Sequence, residues 1–166
     1  MIKKICFAFL ILLVFHGCTR DDICPDTTQT TPLLIVVFKN AAIPTEGKEV
    51  PGLTIETILE NSEIVIDNAT TDSIAIPLYA GADITTYKFT MNSQSELETP
   101  NTDMVTFNYS REDIYVNRAC SFKTIYNNLE ASFEDEEEDN WIFQINVTAL
   151  NNIVENENDT HITILH

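Results

Sequence analysis

The chain has 166 residues, 26 of them Asp or Glu against 9 Lys or Arg, for a formal net charge of −17. A surface so negative repels phosphate backbones and anionic lipid, which excludes nucleic acid as a partner. No internal repeat at a solenoid or propeller period is present.

In chain order, Lys3 and Lys4 precede an apolar run from Ile5 to Phe15. A membrane-spanning helix needs about 20 such residues, so this run is too short to remain as a span and reads as a signal to be cut. Val14-Phe15-His16-Gly17-Cys18 resembles the bacterial lipobox, in which an apolar stretch and a small residue precede an invariant cysteine. Phe15 and His16 depart from its common pattern, while Gly17 and Cys18 match. That resemblance implies a signal helix over 1–17, cleavage after Gly17 and lipid on Cys18. Two or three acyl chains make release from a membrane negligible, since each buried methylene contributes about 0.8 kcal/mol. Cys18-Thr19-Arg20-Asp21-Asp22 looks like the acid-rich tether that sends Bacteroidota-type lipoproteins to the outer face of the outer membrane. The expected address is therefore an outer-membrane lipoprotein at the cell surface, with the periplasmic face as the alternative.

Cleavage of 17 residues from 166 leaves 149, with a charge of −19 because Lys3 and Lys4 are the leader's only charges. That length suits one domain able to bury about two-thirds of its unfolded surface. Residues 18–31 read as the lipidated tether and 32–166 as the domain. Cys6 leaves with the leader and Cys18 takes lipid. Cys24 and Cys120 remain, and in an oxidising compartment one disulfide is the simplest account, with two free buried thiols as the alternative.

Within the domain the hydrophobic period is two. Leu33 to Phe38 is a continuous apolar run after Pro32, the pattern of a strand covered on both faces. Leu53 to Thr57 follows the turn signal Pro51-Gly52, and Ile64 to Ile66 ends at Asp67-Asn68. Ile74, Ile76 and Leu78 share one face, and Pro77 marks an edge position. Tyr87, Phe89 and Met91 alternate with polar residues, as do Val105, Phe107 and Tyr109. Ile114-Tyr115-Val116 leads towards Cys120, and Phe122 to Tyr126 is extended before Asn127-Asn128. Trp141, Phe143, Ile145 and Val147 form the clearest amphipathic strand, and Ile162 and Ile164 close the series. The fold expected is all-β, an antiparallel β-sandwich of about eight or nine short strands. Residues 92–102 read as a polar loop. Six successive acids at 134–139 repel one another and read as an exposed connection.

Signals of catalysis are weak: no G-x-S-x-G elbow, H-E-x-x-H pair or phosphate-binding glycine loop occurs. His16 goes with the leader, and His161 and His166 read as exposed strand-end residues. The acidic run offers oxygen ligands but lacks the spacing and glycine of a calcium loop, so no metal or cofactor is expected. Trp141 is assigned to the core by its phase, against a sugar-stacking role. Arg111 and Arg118 are expected to pair with carboxylates such as Glu112 and Asp113. Asp72-Ser73-Ile74, and more loosely Asp26-Thr27-Thr28, resemble a Bacteroidota-type O-glycosylation sequon with Ser73 and Thr27 as acceptors.

Cys24, Thr31-Pro32-Leu33-Leu34-Ile35, the stretch Thr71 to Leu78, Phe107 to Asp113 and Arg118-Ala119-Cys120, taken with the lipobox, resemble one family. It is an uncharacterised lipoprotein family of flavobacterial type, a domain of unknown function. The resemblance implies an exported β-rich lipoprotein with both cysteines as a matched pair, and it carries over no catalytic or binding residues. The function expected is a non-catalytic outer-membrane or surface lipoprotein acting as a binding or accessory module, with an envelope protein or a glycan as candidate partner. A structural subunit docking on an outer-membrane complex through a strand edge is the alternative.

Overall fold

The computed structural model describes residues 23–58, 62–134 and 139–166. The expected signal helix and Cys18 lie outside them. The described residues form nine strands: Leu34–Lys39 (β1), Val50–Thr57 (β2), Ile64–Thr71 (β3), Ser73–Ile76 (β4), Ile84–Met91 (β5), Asn101–Asn117 (β6), Ser121–Phe133 (β7), Gln144–Val147 (β8) and Ile162–Leu165 (β9). They make two sheets, β4-β1-β9-β8 and β3-β2-β5-β6-β7. The all-β sandwich is thus as the period-two pattern demands. One strand pair departs from the antiparallel expectation: β1 and β9 run parallel, with Val36 opposite Ile162.

Alternation places Leu34, Val36 and Phe38 of β1, Ile74 and Ile76 of β4, and Ile162 and Ile164 of β9 in one core cluster with Ile55, Tyr87, Phe89, Val105, Phe107 and Leu129 of the second sheet. Each aliphatic or aromatic side chain so buried contributes about 1.5–3 kcal/mol. Ile35 and Val37 are only half-buried, so β1 is fully covered on one face, not on both. β4 lies at a sheet edge, where Pro77 belongs.

Two expected strand ends are β-bulges. β2 runs through Pro51-Gly52 and β3 through Asp67-Asn68, with register shifts at each place. Gly52 (φ 52°) and Asn68 (φ 44°) both adopt left-handed backbone, and a Cβ on Gly52 would lie 3.0 Å from the Asn68 Oδ1. Asn128 (φ 55°) marks a third irregularity inside β7, where Asn127-Asn128 looked like a turn.

β8 is shorter than its sequence pattern. Trp141 is buried and its indole N–H donates to the Phe89 carbonyl at 3.1 Å, confirming its place in the core. Ile142 is buried beside it, and its N–H is taken at 2.8 Å by the Asp103 carboxylate. Two consecutive buried residues break the alternation, so Phe143 is 70% exposed instead of sharing the face of Trp141.

Candidate ligand cleft and disulfide-clipped arm

A cleft of about 620 Å³ opens around the segment 77–80, which connects β4 towards β5. Ile58, Leu78, Tyr79, Ile84 and Met104 give it apolar wall, Thr86 and Thr106 give it hydroxyls, and Glu63 and Glu134 add carboxylates. Thr86 and Thr106 face each other across β5 and β6, with hydroxyls 3.0 Å apart.

Three tyrosines hold the rim. The hydroxyls of Tyr87, Tyr126 and Tyr109 donate to the successive carbonyls of Pro77, Leu78 and Tyr79, the last two at 2.9 and 2.8 Å. Because the Tyr109 proton goes to Tyr79, the Thr85 hydroxyl donates to the Tyr109 oxygen at 2.6 Å. It accepts in turn from the Tyr79 N–H at 2.9 Å. The result is a closed ring of three hydrogen bonds. Burial pushes the phenols of Tyr87 and Tyr126 up to about 12, and their tyrosine neighbours add to the rise. Burial also raises that of Tyr109, against the lowering effect of its bonds to Thr85 and Tyr79. All three therefore stay protonated donors at neutral pH. Arg111 secures the next turn of the segment, with Nε donating to Asp83 Oδ1 at 2.7 Å and a guanidinium N–H to the Ala80 carbonyl.

Arg111 thus pairs with Asp83 and not with its chain neighbours. Glu112 accepts from Asn127, and Asp113 from the Thr124 hydroxyl. Both carboxylates adjacent in sequence point across the ladder to β7, which leaves a carboxylate from another loop to meet the arginine. Arg118 is exposed at the β6–β7 turn.

The histidines are not exposed strand ends. His161 and His166 are 1% and 5% exposed. His161 Nδ1 accepts the Ile35 N–H at 2.9 Å, and the His166 ring packs edge-on against Phe38 and Trp141, with Nε2 3.2 Å from the Lys48 carbonyl. Burial lowers the pKa of both below the ordinary histidine value. They are buried because β9, read as a terminal strand, lies inside its sheet between β1 and β8.

Cys24 and Cys120 form a disulfide, with Cα atoms 4.8 Å apart. Cys120 sits at the tip of a long hairpin in which β6 and β7 continue as a two-stranded arm from Ser110 and Asn127 to Asn117 and Ser121. Asn117 shapes the tip by accepting the N–H groups of Ala119 and Cys120 at 2.9 and 2.8 Å. The latter part of the expected tether lies along this arm: Lys123 Nζ donates to Gln29 Oε1 at 2.9 Å, and the Thr124 N–H to Thr31 Oγ1 at 3.0 Å.

Thr27 and Ser73 are both exposed, Ser73 at the start of edge strand β4. Residues 135–138 of the acidic run lie outside the described residues. Among the described residues no His, Cys, Asp or Glu cluster is arranged to hold a metal, and no helix is long and apolar enough to cross a membrane. The cleft was not foreseen from the sequence. Its only trace there is three tyrosines at core positions, where a buried phenol requires a hydrogen-bond partner.

A two-sheet all-β domain with a tyrosine-hung cleft and a disulfide-clipped hairpin arm is the class of protein these features define. The chain belongs to the family of unknown function DUF6452, whose family model matches residues 52–166. No curated protein and no solved structure matches it.

Proposed function

We propose that this chain is a lipid-anchored envelope protein of Bacteroidota type, held at the outer membrane by acyl chains on Cys18 and displayed at the cell surface. Its sandwich acts as a non-catalytic binding module. The cleft carries the binding reading: about 620 Å³ is within the range of small-ligand sites, and its walls combine apolar side chains with a few placed polar groups. Glu63 and Glu134 suit it to a neutral or cationic ligand with an apolar body, such as a glycan fragment or a peptide side chain. The Cys24–Cys120 bond supports export, because such bonds persist in oxidising compartments. Docking through a strand edge draws less support, since the register shifts in β3 blunt one edge of the larger sheet.

Mass spectrometry of the first peptide of the mature protein tests the anchor, which requires fatty-acyl mass on Cys18 and loss of membrane retention in C18A. For the cleft, the full chain should bind the neutral apolar dye Nile red at one site, and T86W should fill that site. Dye binding unchanged in a folded T86W protein would remove the cleft from the proposal. Glycopeptide mass spectrometry at Ser73 and Thr27 decides the sequon resemblance.

A further inference from the structure

One group of exposed apolar side chains lies on the hairpin arm, beyond the body of the sandwich. Tyr115 and Phe122 face each other across β6 and β7 with ring centroids 5.4 Å apart, yet are 59% and 61% exposed. They lie two residues beyond the pair Asp113 and Thr124, and so continue the face that buries Tyr109 and Tyr126, past the point where the smaller sheet covers it. Ile23, next to the bonded Cys24, is 85% exposed.

The charge at this place reverses that of the chain. Residues 114–123 contain Arg118 and Lys123 and no carboxylate, in a protein of formal net charge −17. Connectivity gives the direction. Cys24 is bonded to the arm tip and lies six residues after Cys18, a stretch of chain that reaches about 20 Å at most. A lipid on Cys18 therefore holds the arm tip within that distance of the bilayer.

We propose that the arm tip docks on the bilayer that holds the anchor, with Tyr115 and Phe122 in the interfacial layer and Arg118 and Lys123 at lipid phosphates. This inference rests on the anchored reading of Cys18. Tyrosine at headgroup depth matches its apolar body and polar tip to that layer, and cations of the kind at 118 and 123 contribute about 1 kcal/mol each beside anionic lipid. The acidic sandwich then stands back from the membrane by the length of the arm, which lessens the repulsion that the whole chain would otherwise meet. The disulfide fixes this orientation by making the tether and the arm tip one attachment point.

The test uses the full mature chain reconstituted into vesicles of phosphatidylethanolamine and phosphatidylglycerol, with F122W and, separately, Y115W. The native Trp141 is buried and provides the parent signal to subtract. Docking requires the added tryptophan to shift to shorter wavelength and to lose emission to lipids brominated near the headgroup. Retention of the Trp141 emission certifies the fold of each variant. If both added tryptophans keep water-like, unquenched emission, the proposal is overturned, even where acyl mass is present on Cys18. Acyl mass decides the anchor separately: quenching without it upholds the arm and removes the anchor. A dimer whose added tryptophans are shielded without vesicles would assign the aromatic pair to a second copy and overturn bilayer docking.

Discussion

Replacing both Cys24 and Cys120 by serine isolates the contribution of the clip. The two positions are 96 residues apart in sequence, and neither side chain belongs to the core cluster. The loss should therefore come from the freedom returned to the unfolded chain more than from contacts removed in the folded one. For a loop of that length the chain-entropy relation gives about 16 cal/mol/K, or about 4.7 kcal/mol at 25 °C. Domains of this size are stable by about 5–15 kcal/mol, so the clip supplies a third or more of the total. With urea slopes of about 1–3 kcal/mol/M, the midpoint of C24S/C120S should fall by roughly 1.5–5 M. Equilibrium urea unfolding of parent and variant, with the parent repeated in reductant, measures it. Hydrogen exchange at 114–123 shows whether the arm also loosens. A variant midpoint equal to that of the oxidised parent would refute the loop-entropy reasoning, because the same 96 residues would have been no freer when cut.

Three further outcomes follow from the core. His161 and His166 have pKa values lowered by burial, so below about pH 6.5 the unfolded state takes up protons that the folded state refuses. Stability therefore falls with pH from about 6.5 down to the folded pKa values, by at most about 1.4 kcal/mol per pH unit for each histidine. Urea midpoints across that range should flatten in H161Q/H166Q. At the alkaline end, Tyr87 and Tyr126 hold their protons up to about 12, so stability drains as pH rises from 10 to 12, by about 2–3 kcal/mol for each. In a Y79F/Y115F background, which removes the two exposed tyrosines, tyrosinate absorbance should then rise together with loss of β circular dichroism, not ahead of it. Finally, G52A forces a side chain into left-handed backbone against Asn68 and should cost about 1–2 kcal/mol in urea unfolding, whereas G47A, where no positive φ is involved, should cost less.

The strands were legible because period-two alternation is a local property. Ile74, Ile76 and Leu78, or Val105, Phe107 and Tyr109, state their buried face without reference to any partner. Strand ends were less legible for a physical reason. Pro51-Gly52, Asp67-Asn68 and Asn127-Asn128 supply the left-handed backbone that both a turn and a bulge need, and only the neighbouring strand decides between them. Phe143 shows the same limit: its alternation with Trp141 is real in the sequence, but the hydrogen bond of Ile142 to Asp103 turns the chain before β8 begins. The cysteine pairing could be reached by elimination. The cleft and its tyrosine ring could not, because they join Thr57, Ile58 and Glu63 to residues from 77–87, 104–109 and 126–134, and no local pattern records that meeting.

The parallel pairing of β1 with β9 governs the order in which the protein can be assembled. Ile35 and His161 are 126 residues apart, yet they share a hydrogen bond at the seam, and among the described residues β8 has no strand partner but β9. A chain delivered in sequence order cannot close the smaller sheet until residues 162–165 arrive. Until then β1 presents an unpaired apolar edge, the kind of surface that invites wrong partners and slows maturation. The smaller sheet thus stays open to mispairing with neighbouring chains for as long as its last strand is awaited.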